Sequence, residues 1–402
     1  MSLDLKGTEA QTLSTFKKHR PSEYFSHINT KESFEAHNSR VENLYRFGLT
    51  FPPEFFSDKS LIDLGSGTGE NTLSLAKWGA KCTLVEMNPD AVKVSKDVFK
   101  SHTSNFNEHV FINSSIYDLD VRPLKNSFDI SHSRGVFTHV ADKAKAFHIL
   151  ASLVKPGGYV IYGDRNTCGG IQEMLQRLAI YKIGGTNDEK IVEIAEALFS
   201  EDIDRSQRVI PRTREAIIFD RWVIQQQDDP SVEEVLNMFE SEGLEYVSSW
   251  PKIDFHGRGV SAQEDPRNLE ALKNGSRTVE NLWMILNNGE EENIPTYDNE
   301  YYKILVLVSQ NLRNLQIGTA IDLSGLKNDF SLLKEQASNS LEFPSKVFHR
   351  LSIFHSEVET FIDLILKNKE LSDIRKAIDD FEILFKGYAG VRHVDYIGYK
   401  PK

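Results

Sequence analysis

The residues best placed to do chemistry stand in one short run, Leu61-Ile62-Asp63-Leu64-Gly65-Ser66-Gly67-Thr68-Gly69-Glu70. Three glycines at alternate positions allow positive φ and let the backbone approach a ligand with no side chain between. A dinucleotide loop wants its glycines at the first, third and sixth positions, so that a pyrophosphate sits on the helix N-terminus. Here the fifth position is glycine and the sixth is Glu70. A carboxylate at that point opposes a pyrophosphate, and the pair Asp63 and Glu70 suits a ligand that carries positive charge.

Such a loop must hang from rigid elements, and the pattern around it supplies them. Ser60–Leu64 reads as a strand, Glu70–Lys77 as a helix, Cys82–Glu86 as a second strand and Pro89–Phe99 as a helix with proline in its first turn. His109–Asn113, Phe128–Ser131 and Tyr159–Gly163 continue the series, with a helix over Ala141–Val154 closed by Lys155-Pro156-Gly157-Gly158. Strands alternating with helices predict a mostly parallel sheet covered on both faces, with ligands at the carboxyl ends of its strands. Ser231–Ser241 is a helix whose capping box is Ser231 and Glu234, and Leu244–Trp250 returns as an edge strand.

The glycine run resembles motif I of the class I S-adenosylmethionine-dependent methyltransferases, and the likeness continues in order for about 105 residues. Glu86, in Val85-Glu86-Met87-Asn88-Pro89, stands where that family places an acid on the ribose hydroxyls, and a carboxylate accepts two hydrogen bonds at once. Met87 matches the position that packs on adenine. Ser114-Ser115-Ile116-Tyr117-Asp118 matches the adenine segment, with the amino contact open between Ser115 and Asp118. Phe128–Ser131 matches the fourth strand, and Ser133 to His139 the loop after it; the Lys155–Gly158 turn matches the approach to the fifth strand. The resemblance implies an α/β, Rossmann-like doubly wound sheet with an antiparallel edge strand over residues 58–258. It implies S-adenosylmethionine as cofactor, held by Asp63, Gly65, Ser66, Gly67, Gly69, Glu86, Met87, Ser115, Ile116 and Ser133. A weaker likeness runs through Phe219–Val223 and Ser231–Pro251.

Methyl transfer is an in-line displacement in which positioning matters most, and a base is needed only where the acceptor must lose a proton. His139 is the first candidate for that base, since histidine titrates near neutrality. Arg134 and the trio Asp164, Arg165 and Asn166 lie at strand ends facing the acceptor side, whereas His132 reads as structural. The expected acceptor is a small molecule with a hydroxyl or amine, such as a sugar or another metabolite. A non-catalytic cofactor-binding protein on the same scaffold is the alternative; it would lack a cavity lined by Ser133–His139 and Asp164–Asn166.

The rest of the chain frames that domain. Residues 1–57 are polar and helical in parts, with residues 34–47 presenting Phe34, Val41, Leu44 and Tyr45 on one side, and Pro52-Pro53 breaks any helix before the core begins. Residues 166–229 break the strand-helix rhythm and read as a helical lid, with helices over Gly169–Ile183 and Asn187–Leu198. Arg205, Arg208, Arg212, Arg214 and Arg221 there suit either an anionic acceptor or, by preference, a solvated mixed-charge face. Residues 259–402 form a mainly helical C-terminal extension, ending in a short strand over Val391–Tyr399. Its stripes, Val347-Leu351-Phe354-Val358-Phe361-Ile365 and Leu371-Ile374-Ile378-Phe381-Phe385, predict a helical hairpin packed on its own chain, or else a homodimer seam.

A net charge of -12 over 402 residues argues against nucleic acid as a partner. Cys82 and Cys168 have no ligand-spaced neighbours for a metal. The start lacks a signal-peptide pattern, and no apolar run approaches membrane-spanning length. A cytoplasmic protein without a membrane partner is the expectation.

Overall fold

The computed structural model describes residues 4–19, 30–209, 212–224, 227–253, 269–285, 299–314, 322–339, 345–386 and 393–402. Seven strands make one sheet: β1 (Ser60–Leu64), β2 (Lys81–Glu86), β3 (Val110–Asn113), β4 (Phe128–Arg134), β5 (Val154–Arg165), β6 (Glu245–Trp250) and β7 (His393–Tyr399). Their order is β3-β2-β1-β4-β5-β7-β6. All pairings from β3 to β5 are parallel, and β7 runs antiparallel to both its neighbours. β1 sits mid-sheet, and Leu61, Ile62 and Leu64 bury against both covering layers.

Before β1 come α1 (Leu5–His19) and α2 (Lys31–Asn43); between strands come α3 (Glu70–Lys77), α4 (Pro89–His102), α5 (Lys143–Leu153), α6 (Ile171–Gly184), α7 (Asp188–Val209), α8 (Arg214–Ile218) and α9 (Val232–Ser241). Between β6 and β7 come α10 (Leu269–Trp283), α11 (Asn299–Arg313), α12 (Leu323–Asn339), α13 (Ser345–Leu366) and α14 (Leu371–Asp380). Local chemistry starts them as expected. Asn88 caps α4, accepting from Asp90 N at 3.1 Å ahead of Pro89. The capping box of α9 forms, Ser231 Oγ accepting from Glu234 N at 3.1 Å and Glu234 Oε2 from Ser231 N at 2.7 Å. α5 begins two residues late, because Asp142 caps it instead. Phe199, at φ -130°, interrupts α7 and divides it into two pieces.

One sheet face packs on α2–α4 and the aromatic group Phe51, Phe55 and Phe56; the other packs on α5, α9 and α10. A third core joins α6–α8 to α11–α14. Leu351, Phe354, Val358, Phe361 and Ile365 are all buried there, inside one chain. Val347 lies where no side chain is described. Ile374 and Ile378 follow the stripe on α14, but Phe381 is already the residue after that helix, and Phe385 lies beyond it at φ +63°. The helices from 269 onward are therefore an insertion. The chain leaves the sheet after β6, builds a helical body on the lid, and returns to place β7 between β5 and β6. Of the strand expected over Val391–Tyr399, the first two residues lie outside the described ones. No helix among the described residues is long and apolar enough to cross a membrane.

Candidate functional site

The glycine turn joins the tip of β1 to α3 with φ of 75° at Gly65, 56° at Gly67 and 87° at Gly69. Gly65 N and Ser66 N both donate to Val85 O, at 2.8 and 3.1 Å, which pins the turn to the end of β2. A Cβ on Gly65 would lie 2.6 Å from the Val136 methyls, whereas one on Gly67 would meet nothing within 4 Å. The first glycine lets the loop after β4 close in; the second leaves backbone facing open space. Beside it, Glu86 Oε2 accepts from Gly67 N at 3.0 Å and Oε1 from Asn88 N at 2.8 Å. Each oxygen retains lone-pair capacity for a further donor. Burial raises the Glu86 carboxyl above its ordinary range, against the pull of those backbone donors. Ser66 Oγ is buried with no partner among the described residues.

Two of the expected cofactor contacts turn inward. Asp63 Oδ1 meets His132 Nδ1 at 2.8 Å and Oδ2 accepts from Thr72 Oγ1, so this acid joins β1, β4 and α3. Ser133 Oγ donates to Leu64 O at 2.8 Å, tying the tips of β4 and β1 together. Glu70 is buried and accepts from Thr68 Oγ1. On the far side of the turn, Asn113 Nδ2 donates to Glu86 O and Met87 O at 2.9 and 3.0 Å, and Met87 is half-buried. Ile116 is buried, and Ser115 Oγ accepts from Asp118 N at 3.1 Å.

Asp118 forms an ion pair with Lys6 of α1. The same helix sets Phe16 against the His139 ring, centroids 6.1 Å apart, and pairs Lys18 with Asp188 at the start of α7. α1 thus spans from the segment after β3 to the lid, past the loop after β4. Nothing in its polar sequence pointed to that bridging position.

The strand-end candidates fall into two groups. Arg134 donates to Asp395 of β7 through Nε at 2.7 Å and Nη2 at 3.2 Å, and His393 Nε2 lies 3.2 Å from the same carboxylate. Burial works against the Asp395 charge, but Arg134 and His393 outweigh it and hold the carboxyl below its ordinary range. A depressed carboxyl adds stability above its unfolded pKa, near 4, which is lost as pH falls through the lower folded value. Asp395→Asn should therefore cost about 3 kcal/mol at pH 7, by stripping the arginine of its buried partner. In urea unfolding, the gap from wild type should narrow below pH 4; a constant gap would exclude the ion pair as its source.

Asp164, Asn166 and Thr167 make the second group, at the end of β5, and all three are buried. Asp164 Oδ2 accepts from Thr138 N at 2.8 Å and Tyr162 Oη at 3.2 Å, and Oδ1 from Arg165 N at 2.9 Å. Burial pushes the Asp164 carboxyl up to about 6. Thr138 Oγ1 also donates to Asp229 Oδ1, a residue that sequence reasoning missed. Its only signal was two adjacent acids ahead of Pro230, at the doorstep of a capped helix. Arg165 pairs with Glu173 of α6 and so faces the lid.

Four of the five arginines of residues 205–221 are engaged within the lid. Arg205 pairs with Asp202, Arg212 with Asp220, Arg214 with Glu196 and Asp204, and Arg221 with Glu173. Arg212 and Arg221 are buried, so that part of the cluster is an internal ion-pair network, whereas Arg208 is exposed and the Arg214 pairs stay partly open to solvent.

Comparison with known proteins agrees with this geometry. Residues 55–241 match the model of a family described as a methyltransferase domain. A ubiquinone biosynthesis O-methyltransferase of Colwellia psychrerythraea is 31% identical over 113 residues, 28% of this chain and 44% of its own. The chloroplastic tocopherol O-methyltransferase of Arabidopsis thaliana is 30% identical over 152 residues, 35% of this chain and 41% of its own. An arsenite methyltransferase of Rattus norvegicus is 29% identical over 137 residues, 32% of this chain and 37% of its own. The matches span less than half the length of each of these relatives.

Proposed function

We propose, for a chain whose residues 55–241 belong to the class I S-adenosylmethionine-dependent methyltransferases, that it transfers a methyl group to a hydroxyl of a small-molecule acceptor. The observation that carries this is Glu86, a carboxylate at the tip of β2 whose Oε2 takes Gly67 N, beside open space, and whose Oε1 takes Asn88 N. The residues fit the cofactor: Glu86 for the ribose hydroxyls, Met87 and Ile116 for the adenine faces, Ser115 for its edge, and Gly65–Gly67 for the remainder. Asp63 and Ser133 serve it by fixing the strand tips. When bound, the group supplies an electrophilic methyl on a sulfonium. The chain's own part is to bind and orient the acceptor and to exclude water, with α1, the lid and the inserted helices enclosing it.

The named O-methyltransferase relatives support a hydroxyl acceptor over an amine, and the net negative charge supports a metabolite over a nucleic acid. We place the activity in the cytoplasm. A homodimer through the C-terminal stripes has little left to use, because Leu351, Phe354, Val358, Phe361, Ile365, Ile374 and Ile378 are buried within one chain. Calorimetry with S-adenosylmethionine and S-adenosylhomocysteine should show saturable heat with both. Absence of heat with either, alongside binding of a nicotinamide dinucleotide, would overturn the reading.

A further inference from the structure

Three segments converge beyond the ends of β4 and β5, and backbone bonds stitch them into one floor. Asp228 N donates to Thr138 O at 2.9 Å, and Thr167 N to Pro230 O at 3.1 Å. Side chains complete it. Asp229 Oδ1 takes Thr138 Oγ1 and, at 2.7 Å, Gln227 Nε2. No described residue donates to Asp229 Oδ2, although Asp229 is 1% exposed. Gln227 Oε1 and Thr167 Oγ1, on residues 3% and 2% exposed, likewise lack a hydrogen-bond partner among the described residues. Buried polar atoms are satisfied as a rule, so these two, beside an Asp229 oxygen that takes no donor from the described residues, mark where another molecule's polar edge belongs.

We propose that Asp229 is the proton acceptor of this subsite, its Oδ2 taking the proton of an acceptor hydroxyl while Gln227 Oε1 and Thr167 Oγ1 hold that molecule's polar edge. The inference rests on the methyltransferase reading and names a base for it. The acceptor's O–H bond breaks with its electron pair left on oxygen, the nucleophile the transfer requires. A new O–H bond forms at Asp229 Oδ2, and water later takes that proton. Asp164 is worse placed, since donors already hold both its oxygens. His139, the base expected from sequence, is half-buried against Phe16 of α1.

The charges facing Asp229 come from every side: Asp164 and Arg165 from β5, Glu173 and Arg177 from α6, and Arg313 from α11. Burial raises its carboxyl above the ordinary range, and the Thr138 hydroxyl and the Arg165 and Arg313 charges oppose that rise. A carboxyl raised in this way is a better base than an exposed one, provided it is ionised at the working pH.

The test labels carboxyls with a water-soluble carbodiimide and glycinamide on the full chain, followed by peptide mass mapping. Asp229 should label at least tenfold faster than Asp164, and its labelling should fall as pH rises, because carbodiimide attacks the protonated carboxyl. Thr138→Val removes a donor to the ionised form, so labelling should persist to higher pH. Equal protection of Asp229 and Asp164, or no movement in that variant, overturns the proposal. With any phenol, enol or sugar hydroxyl found to turn over, Asp229→Asn should lose about 100-fold in kcat and its rise with pH. A loss under threefold overturns it too. Heat of S-adenosylhomocysteine binding on the same samples separates the two ideas: its absence in wild type sinks the methyltransferase reading whatever the labels show.

Discussion

Glu86→Ala should weaken S-adenosylmethionine binding by roughly 100-fold or more while leaving the chain folded. Two hydrogen bonds from ribose hydroxyls to a charged acceptor contribute about 1.5–3 kcal/mol each, and the substitution removes both. Glu86→Gln keeps one accepting oxygen and replaces the other with a donor, so it should fall between the two. The fold should tolerate either change, because Gly67 N and Asn88 N sit at a loop that water can reach once the carboxylate is gone. Affinity should also decline as pH falls through the raised Glu86 pKa, since the ionised form is the one that accepts both hydroxyls. Calorimetry across pH 5 to 8 measures both effects. Unchanged affinity in Glu86→Ala would remove the ribose from this carboxylate and with it the main support for the cofactor.

The parts of this site that were legible in sequence are those fixed by local chemistry. A glycine turn between an apolar run and a helical stretch needs only neighbours in sequence to define it, and Gly65, Gly67 and Gly69 stand in the conformations their type allows. The same holds for Pro89 in the first turn of α4 and the Ser231–Glu234 box. What sequence hid is everything carried by long connections. Arg134 reads as a substrate-facing strand end until β7 arrives, 261 residues later, with Asp395. An acid inside the alternating run His393-Val394-Asp395-Tyr396 was the available clue, because an inward charge in a strand demands a partner. The helices after residue 260 read as an appendage for a related reason. Periodicity reports which face of a helix is buried, but not whether the chain afterwards re-enters a sheet.

That re-entry makes the insertion's attachment to the site a matter of stability, and Glu280 is where it can be tested. This residue of α10 is fully buried, with Oε1 accepting from Asn166 Nδ2 at 2.7 Å and Val232 N at 2.9 Å, and Oε2 from Tyr302 Oη at 2.9 Å. One carboxylate therefore links the end of β5, the start of α9 and α11. Burial raises it to about 7, even though all three donors favour the charged form. A carboxyl raised on folding binds its proton more tightly in the native state, so the sign is the reverse of that for Asp395. Stability from this group is full below the unfolded carboxylate range and falls as pH rises to about 7, by roughly 3 kcal/mol in all. Glu280→Gln should flatten that fall, because the amide keeps an accepting oxygen for Asn166 and Val232 and can donate to Tyr302. Glu280→Ala leaves those donors buried without an acceptor and should cost about 3 kcal/mol or more at every pH. Urea unfolding of the three proteins at pH 5 and pH 8 reads the difference directly. If wild type and Glu280→Gln keep the same pH slope, the proton is not held at Glu280, and the insertion is anchored by its apolar core alone.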